Sequence, residues 1–294
     1  MKLGQATVER VVDLDPFALG LSFLFPGAKL DDLRPHAALL APDHVDFDQG
    51  NLLLAIQSFV LRVGVLTILI DSCVGESKDR KRRMDWHQRT DTNYLRALAA
   101  AGVTPEDVDI VLCTHLHADH VGWNTRLENG RWVPTFARAR YMIGHAELAA
   151  WQSEEVREPG VANHGAYTDS ILPVIEAGLV ETVTDGFEIT RGLTVVPLPG
   201  HSPGQIGLDL DYGESRHVLF CGDAIHSPTQ IFKPEWTSAF CTNAQQAVAS
   251  RVGLLERAVE DGSLIAPSHI RNAMGFRVER CGCDYRPSFV CEAG

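Results

Sequence analysis

A dense run of metal-ligand residues, placed directly after an apolar strand-like stretch, restricts the fold of this chain more than any other feature. The stretch Ile110–Cys113 leads into a His-x-His-x-Asp-His pattern made of His115, His117, Asp119 and His120. Histidine and aspartate are poor core residues, and burying them without partners costs free energy. Imidazole nitrogen and carboxylate oxygen are, however, ligands that a borderline-soft divalent ion such as Zn²⁺ takes. The pattern therefore predicts a metal site at the end of a strand.

The spacing inside this pattern indicates how the side chains divide. Alternate residues of an extended segment point to the same side, so His115 and His117 are expected to face one ion. A turn after them would let Asp119 and His120 face a second ion nearby. The alternative, a polar turn without metal, does not explain why a strand-like stretch leads directly into three imidazoles and a carboxylate.

Four more candidate residues each fall just after a separate strand-like run. One of them lies in a Gly/Pro-rich turn, and the set is Asp71, His201, Asp223 and His269. Taken alone, an aspartate at a strand end is more typical of a turn or a helix cap. Strand ends that meet at one edge of a sheet can, however, collect distant side chains into one site. The order of these residues around the His115 pattern favours that second interpretation.

Short β-branched runs alternate with helical stretches along the chain. A hairpin is predicted around Gly64, and helices are predicted over 93–101 and 244–260, the second closed by Gly262. The N-cap candidates are Asp91 or Thr92 for the first helix and Thr242 or Asn243 for the second. Strands separated by helices indicate an α/β protein whose sheets are covered by helices.

The length of 294 residues and the ordinary composition favour one domain. Within it we expect an N-terminal extension (1–50), a motif-bearing core (51–270) and a C-terminal tail (271–294). The apolar stretch 19–25 falls outside the motifs and is of a kind that covers a pocket or a subunit interface. Aromatic residues could line a pocket or belong to the core: Phe23 or Phe25, Trp123, Trp132, Phe232 and Trp236.

The formal net charge of −12 argues against a nucleic-acid or anionic-membrane partner. The basic residues of 78–83 are interrupted by Asp79 and are interpreted as a solvated loop rather than a phosphate-binding patch. The apolar stretch 18–25 follows Asp13 and Asp15, where a secretory signal would be basic. Seven scattered cysteines without framework spacing indicate reduced thiols, so the expected location is the cytoplasm.

These residues, taken in order, resemble the metallo-β-lactamase superfamily over roughly 50–270. Relatives with a similar N-terminal extension are often homodimers, so the resemblance implies a homodimer. The resemblance implies an α/β fold of the αββα sandwich type, with two divalent ions, zinc being the expected metal, at one edge of two sheets. It further implies that the first ion is held by His115, His117 and His201. By the same resemblance, the second ion is held by Asp119, His120 and His269. Asp223 would bridge the two ions, and Asp71 would orient ligands without binding metal.

The resemblance also implies a mechanism. Two close ions can share a water and lower its pKa to about 7, which supplies a metal-bound hydroxide without a serine or cysteine nucleophile. Ser202 lacks the Gly-x-Ser-x-Gly pattern of a nucleophile elbow. Asp119 and Asp223 are therefore predicted to be catalytic as well as metal ligands. His226, three residues after Asp223, is predicted to assist the leaving group or line the pocket; a solvent-facing loop histidine is the alternative.

The substrate class with the best support is a small carboxylic ester or lactone, because attack on a carbonyl is the commonest reaction among proteins of this resemblance. Phosphotriester and aryl-halide hydrolysis are alternatives within the superfamily. A different class is a mononuclear-iron persulfide dioxygenase, which binds iron through two histidines and an aspartate, so the full ligand set here would be surplus. A binding protein without metal would show lost ligands, and none is missing from the pattern.

Overall fold

The computed structural model describes residues 1–90 and 92–291, and the chain divides into two compact units. The first unit comprises Lys2–Asp13 and Ile56–Thr184, and the second comprises Met1, Leu14–Ala55 and the chain from Asp185 onward. The predicted cap Asp91 and the last three residues of the predicted tail lie outside the described residues. The single-domain organisation expected from composition stays a prediction.

The first sheet carries the His115 pattern at the end of a central strand. Among the described residues it has eight strands: Lys2–Leu3, Ala6–Gly20, Val45–Asp46, Asn51–Val63, Leu66–Ile70, Ile110–Cys113, Arg140–Gly144 and Val180–Val183. The last four run parallel to one another. Ile70 pairs with Leu112, so Asp71 and the His115 pattern leave neighbouring strands at the same edge. Parallel strands need crossover connections, which is why helices follow them.

The second sheet lies wholly in the second unit and delivers the later candidate residues. Within the described part of the chain it has seven strands: Glu188–Thr190, Leu193–Pro197, Ile206–Asp211, His217–Gly222, Leu264–Pro267, Gly275–Cys281 and Asp284–Val290. The strands that end before Asp223 and His269 are parallel neighbours. The turn that carries His201 connects Pro197 to Ile206, which pair across the same edge. The segment predicted only as a tail thus supplies a hairpin to this sheet.

Local sequence signals account for the longest helix. The helix Ala244–Asp261 begins where the Asn243 side chain accepts a hydrogen bond from the Gln246 amide at 3.0 Å, and it ends at Gly262 in the left-handed conformation. The predicted hairpin around Gly64 is confirmed. The remaining α-helices are Leu21–Leu24, Ala37–Leu40, Tyr94–Ala100, Ala118–Val121, His145–Arg157, Leu172–Glu176 and Thr229–Phe232. Shorter elements are the 3₁₀ turns Leu30–His36, Pro105–Asp107, Gly122–Asn124 and Ala162–Gly165, the π-turn Tyr167–Ile171 and the hairpin Thr125–Glu128 with Arg131–Pro134.

One predicted cap is wrong. The helix Tyr94–Ala100 has Asn93 at its N-cap position and no side-chain capping hydrogen bond. The hydroxyl of Thr92 instead donates to a Glu76 carboxylate oxygen at 2.7 Å. A tertiary partner therefore takes the hydroxyl that local sequence assigns to the helix start.

The interpretation of 78–83 as a solvated loop is also wrong for two of its residues. Lys78 and Arg80 are fully buried. The guanidinium of Arg80 donates to both carboxylate oxygens of Asp169, at 2.6 and 2.9 Å, and the Lys78 ammonium donates to the Thr125 hydroxyl at 2.6 Å. The ammonium also lies 3.6 Å from the centre of the Trp132 ring. The partner carboxylate is 89 residues away in sequence, which is why the local pattern did not reveal it.

The buried lysine makes the stability of the chain depend on pH. Burial lowers the pKa of Lys78 from 10.5 to about 7, opposed by Asp169. Between these values the unfolded state binds a proton that the folded state does not, so the free energy of unfolding rises with pH. We expect the difference between the parent and Lys78→Met to grow in favour of the parent from pH 7 to 10, by at most about 1.4 kcal/mol per pH unit.

Urea unfolding at several pH values measures this difference. Lys81→Met is the matched control, because its ammonium is largely exposed. A difference between the parent and Lys78→Met that stays constant from pH 7 to 10 would show that the buried amine does not titrate in this range.

Candidate functional site

The His115 cluster, which comprises His115, His117, Asp119 and His120, lies where the strand Ile110–Cys113 ends and a short helix begins. His115 and His120 are buried, with ring centres 4.0 Å apart. The Nε2 atom of His115 lies 3.1 Å from the Nδ1 atom of His117. The Asp119 carboxylate is partly exposed and lies 3.9 Å from the Nε2 atom of His120. Two imidazole nitrogens that face each other, one on a buried ring and one on a partly buried ring, need a proton or a cation between them, so this donor set fits a metal ion.

Asp71 lies behind this cluster and holds it in place. Its two oxygens accept hydrogen bonds from the amide and the hydroxyl of Thr114, at 2.8 and 2.9 Å. One oxygen also lies 2.8 Å from the Nδ1 atom of His120. Donation from Nδ1 to this carboxylate sets Nε2 as the atom of His120 that can ligate. These contacts fit the orienting role predicted for Asp71.

Close backbone packing brings the Asp71 loop against the end of the His115 cluster. The Ser72 amide donates to the His120 carbonyl, and the Gly122 amide donates to the Cys73 carbonyl, both at 2.7 Å. A Cβ atom on residue 122 would lie 1.9 Å from the carbonyl oxygen of Val74. Only glycine allows the two segments to approach this closely.

The Asp223 cluster, which comprises His201, Asp223, His226 and His269, lies at the edge of the second sheet. All four residues are buried. The Nε2 atoms of the three histidines lie 3.1 to 3.5 Å from Asp223 carboxylate oxygens. Ligand atoms of His201, Asp223 and His226 all lie within 4.8 Å of one another, so they could hold one ion. Three imidazoles around a single buried carboxylate form a donor set suited to a divalent cation.

Hydrogen bonds on the far side of the rings set which nitrogen faces Asp223. The Nδ1 atom of His269 lies 2.8 Å from the carbonyl oxygen of Ala55, to which it donates. The Nδ1 atom of His201 lies 3.8 Å from the Cys241 sulfur. A histidine held in this way through Nδ1 presents Nε2 as the ligating atom. Nε2 is therefore the nitrogen through which His201 and His269 could hold an ion.

His226 is buried beside Asp223, which excludes the solvent-facing alternative. Its backbone amide donates to the Gln230 side chain at 2.8 Å, and its ring stands edge-on to Phe25 with centres 6.3 Å apart. The loop that carries it is fixed by Arg251, which donates to the carbonyls of Ala224 and Trp236 at 2.9 and 2.8 Å. Burial lowers the pKa of this guanidinium to about 10. The loop is therefore held from beneath by a buried cation.

The aromatic residues divide into two groups. Phe25 lies beside His226 and packs against Trp236, with ring centres 5.9 Å apart. The others have different partners: Trp123 stacks on Tyr94, Trp132 receives Lys78, Phe232 stacks on His36, and Phe23 packs against Phe240. Phe25 and Trp236 are therefore the aromatic residues best placed to shape a pocket at the Asp223 cluster.

Sequence reasoning missed the residues that support the two clusters. Glu147 and Asn163 accept hydrogen bonds from the Leu116 and Ala118 amides, 31 and 45 residues away, and Arg251 donates to the Ala224 carbonyl, 27 residues away. No spacing pattern connects these residues to the ligands. The one local signal is Asn163, which lies two residues before Gly165 in a stretch with left-handed backbone.

No helix among residues 1–90 and 92–291 is long and apolar enough to cross a membrane.

The sequence model of a family described as the Metallo-beta-lactamase superfamily matches residues 53–269, more than half of the chain. An N-acyl homoserine lactonase of Bacillus cereus is 29% identical over 130 residues, which are 44% of this chain and 44% of that protein. The chain therefore aligns with less than half the length of this curated relative.

The solved structures that are similar over the whole chain include two with a TM-score of 0.81. One, described as the hydrolase AbOPH in the beta lactamase superfamily, has a TM-score of 0.81 at 22% identity and covers 100% of this chain and 97% of that one. The other, AidC, described as a dizinc quorum-quenching lactonase in complex with a product N-hexanoyl-L-homoserine, has a TM-score of 0.81 at 17% identity with the same coverage. At such identities the likeness shows the fold alone. The predicted metallo-β-lactamase fold of the α/β class is confirmed.

Proposed function

This chain belongs to the metallo-β-lactamase superfamily of hydrolases, and we propose that it hydrolyses a carboxylic ester or lactone with two divalent ions, zinc by preference. The observation that carries the proposal is the complete set of imidazole and carboxylate donors in the His115 and Asp223 clusters. Each cluster lies at a strand end, is mostly buried and brings together ligand atoms that could hold a metal ion. Burying so many titratable side chains has a large cost, which divalent cations would offset.

The ligand assignment follows the order of the family motifs. His115, His117 and His201 would hold the first ion, and Asp119, His120 and His269 the second. Asp223 would bridge them, a role supported by the short distances from its two oxygens to the surrounding imidazoles. When bound, the ions supply Lewis acidity and a water of lowered pKa. Zinc is the proposed metal because it suits imidazole and carboxylate ligands, and because hydrogen bonds on the far side of the rings set which imidazole nitrogen can ligate.

Two residues would handle protons. Asp119 keeps a partly exposed carboxylate beside a buried histidine, so it can take the proton that the attacking water loses and release it to solvent. His226 has its Nε2 atom 3.4 Å from an Asp223 oxygen and can donate a proton to the leaving group. Asp71 only orients His120.

A lactone with an acyl side chain is the proposed substrate. The Bacillus cereus relative is named as an N-acyl homoserine lactonase, and the family match includes all the proposed ligands. Phe25 and Trp236 give the wall beside His226 an apolar character that suits an acyl group. Polar leaving groups would face the imidazole instead.

A panel of substrates tests this proposal. We expect the zinc-loaded protein to hydrolyse acyl lactones and aryl esters faster than thioesters, β-lactams, phosphotriesters or aryl halides at equal concentration. Asp223→Asn is the inactive reference, which separates enzymatic from spontaneous lactone opening. Preferential turnover of a phosphotriester or an aryl halide, or oxygen consumption with a persulfide, would replace the proposed activity with the corresponding alternative.

Replacing His226 with alanine should keep the metal content and lower turnover by a factor within about 10²–10⁴, the usual contribution of general acid–base catalysis. The loss should be larger for esters with poor leaving groups, because these need a proton most. Turnover and metal analysis on matched good and poor leaving groups measure both effects. His217→Ala is the control, since this residue begins the strand His217–Gly222 at the end away from Asp223. Equal losses for both kinds of leaving group would show that His226 does not donate a proton to the leaving group.

A homodimer is the proposed assembly. Phe23 and Phe240 are 55% and 41% exposed and pack edge-to-face, with ring centres 5.9 Å apart, so they form an apolar patch at the surface of the second unit. We expect light scattering to give about twice the chain mass of 32.2 kDa, and Phe23→Glu to shift it toward the monomer. A mass of one chain across a wide concentration range would contradict the proposal.

All seven cysteines are free. Three of them, Cys73, Cys113 and Cys221, are fully buried, and burial raises the pKa of each thiol. Unpaired thiols of this kind suit a reducing compartment, which supports the proposed cytoplasmic location.

A further inference from the structure

We propose that Asn163 is a positioning residue for His117, acting through the two peptide groups on either side of it. The inference rests on the proposed function, in which His117 is a metal ligand. The residues that carry it all belong to the first unit and lie outside the ligand set.

One side-chain amide forms hydrogen bonds with the backbone on both sides of His117. The Asn163 Oδ1 atom accepts a hydrogen bond from the Ala118 amide at 3.1 Å, and the Nδ2 atom donates to the Leu116 carbonyl. These two backbone atoms belong to the peptide groups before and after His117. The amide therefore fixes both peptide planes and, with them, the extended backbone of His117, whose φ and ψ are −64° and 153°.

Asn163 is itself held in an unusual conformation. Its φ and ψ of 50° and 46° are left-handed, as are those of His164, and asparagine tolerates this region better than most residues. The carbonyl of His164 accepts a hydrogen bond from Arg80 at 3.1 Å. Arg80 in turn is fixed by both oxygens of Asp169. The buried ion pair thus anchors the segment that presents Asn163.

A second side chain holds the preceding peptide group. The amide of Leu116 donates to a Glu147 oxygen at 3.0 Å, and the same oxygen accepts from the Trp151 indole at 2.7 Å. The Trp151 ring stands edge-on to His117, with centres 5.6 Å apart. Asn163 and Glu147 therefore satisfy three backbone groups around His117: the amide and carbonyl of Leu116, and the Ala118 amide at the start of the helix Ala118–Val121.

Fixing the backbone matters especially for this histidine. The nitrogen of His117 that faces His115 is Nδ1, which is attached directly to the ring carbon next to Cβ. The position of Nδ1 therefore follows the backbone more closely than that of Nε2, which lies farther out on the ring. Outer partners of metal ligands typically contribute about 10–100-fold in affinity or activity. We expect the contribution of Asn163 to fall in this range.

Asn163→Gly removes the two side-chain hydrogen bonds but keeps the backbone conformation, because glycine adopts left-handed φ values without strain. The matched control is Asn129→Gly, since Asn129 also has a left-handed φ of 50° but lies exposed in a hairpin turn. Two measurements are made on each protein: Co²⁺ titration of metal-free protein, read by affinity and by the visible spectrum at full occupancy, and hydrogen exchange of the Ala118 amide in metal-free protein.

For Asn163→Gly we expect about 10–100-fold weaker Co²⁺ binding, an altered spectrum and faster Ala118 exchange, with Asn129→Gly like the parent. Unchanged Ala118 exchange would show that Asn163 does not fix the backbone beside His117. Faster exchange with unchanged affinity and spectrum would show that fixing this backbone does not position His117 as a ligand. A parent that binds no Co²⁺ overturns both this inference and the proposed function. If Asn163→Gly behaves as expected but the metal-loaded parent cleaves no ester or lactone, the inference stands and the proposed activity fails.

Discussion

Replacing His117 with alanine will leave a folded protein that has lost most of its metal and several orders of magnitude of hydrolytic activity. The imidazole is only partly buried, and the backbone around it is held by Asn163 and Glu147, so its removal does not open a large core cavity. No serine or cysteine nucleophile is present in a recognisable motif to replace the missing chemistry.

Circular dichroism, metal analysis and lactone turnover test this prediction together. His217→Ala serves again as the control, since it removes a histidine that is hydrogen-bonded to Asp209 far along the second sheet. If His117→Ala keeps both its metal and near-normal turnover, His117 is not a ligand.

Asp223→Asn will be far more damaging than Asp71→Asn, although both substitutions keep the shape of the side chain. Asp223 is surrounded by three imidazole nitrogens within 3.5 Å, so its charge balances whatever cation the cluster holds. Asp71 contacts Thr114 and the Nδ1 atom of His120, and loss of such an orienting partner costs about 10–100-fold. We expect the loss of turnover in Asp223→Asn to exceed that range, and we expect this variant to lose metal.

Turnover and metal content of the two variants, measured side by side, decide the matter. Comparable losses would mean that the bridging and orienting roles are assigned to the wrong residues. Full metal content in Asp223→Asn would point the same way.

The parts of the fold that sequence predicted depend on neighbouring residues. The hairpin around Gly64 and the helix Ala244–Asp261, with its cap at Asn243 and its end at Gly262, follow from turn and capping preferences within a few positions. The Thr92 cap was predicted by the same rules and is wrong, because Glu76, 16 residues away, takes the hydroxyl. Lys78 and Arg80 escaped prediction for the same reason: their burial depends on Asp169.

The candidate site was also predictable from the sequence only in the features that depend on neighbouring residues. The donor types and their places after strands were visible in the sequence, because a strand end followed by histidine or aspartate is a local pattern. Which nitrogen of each ring faces the site was not visible, since it depends on Ala55 for His269 and on Asp71 for His120. Nor was Asn163, whose position comes from the buried pair of Arg80 and Asp169.

Metal analysis of the purified protein, combined with lactone turnover before and after chelation, tests the central claim most directly. We expect about two zinc ions per chain, loss of turnover when they are removed, and recovery when Zn²⁺ is restored. About one iron per chain, or full turnover in metal-free protein, would contradict the account of a two-metal hydrolase.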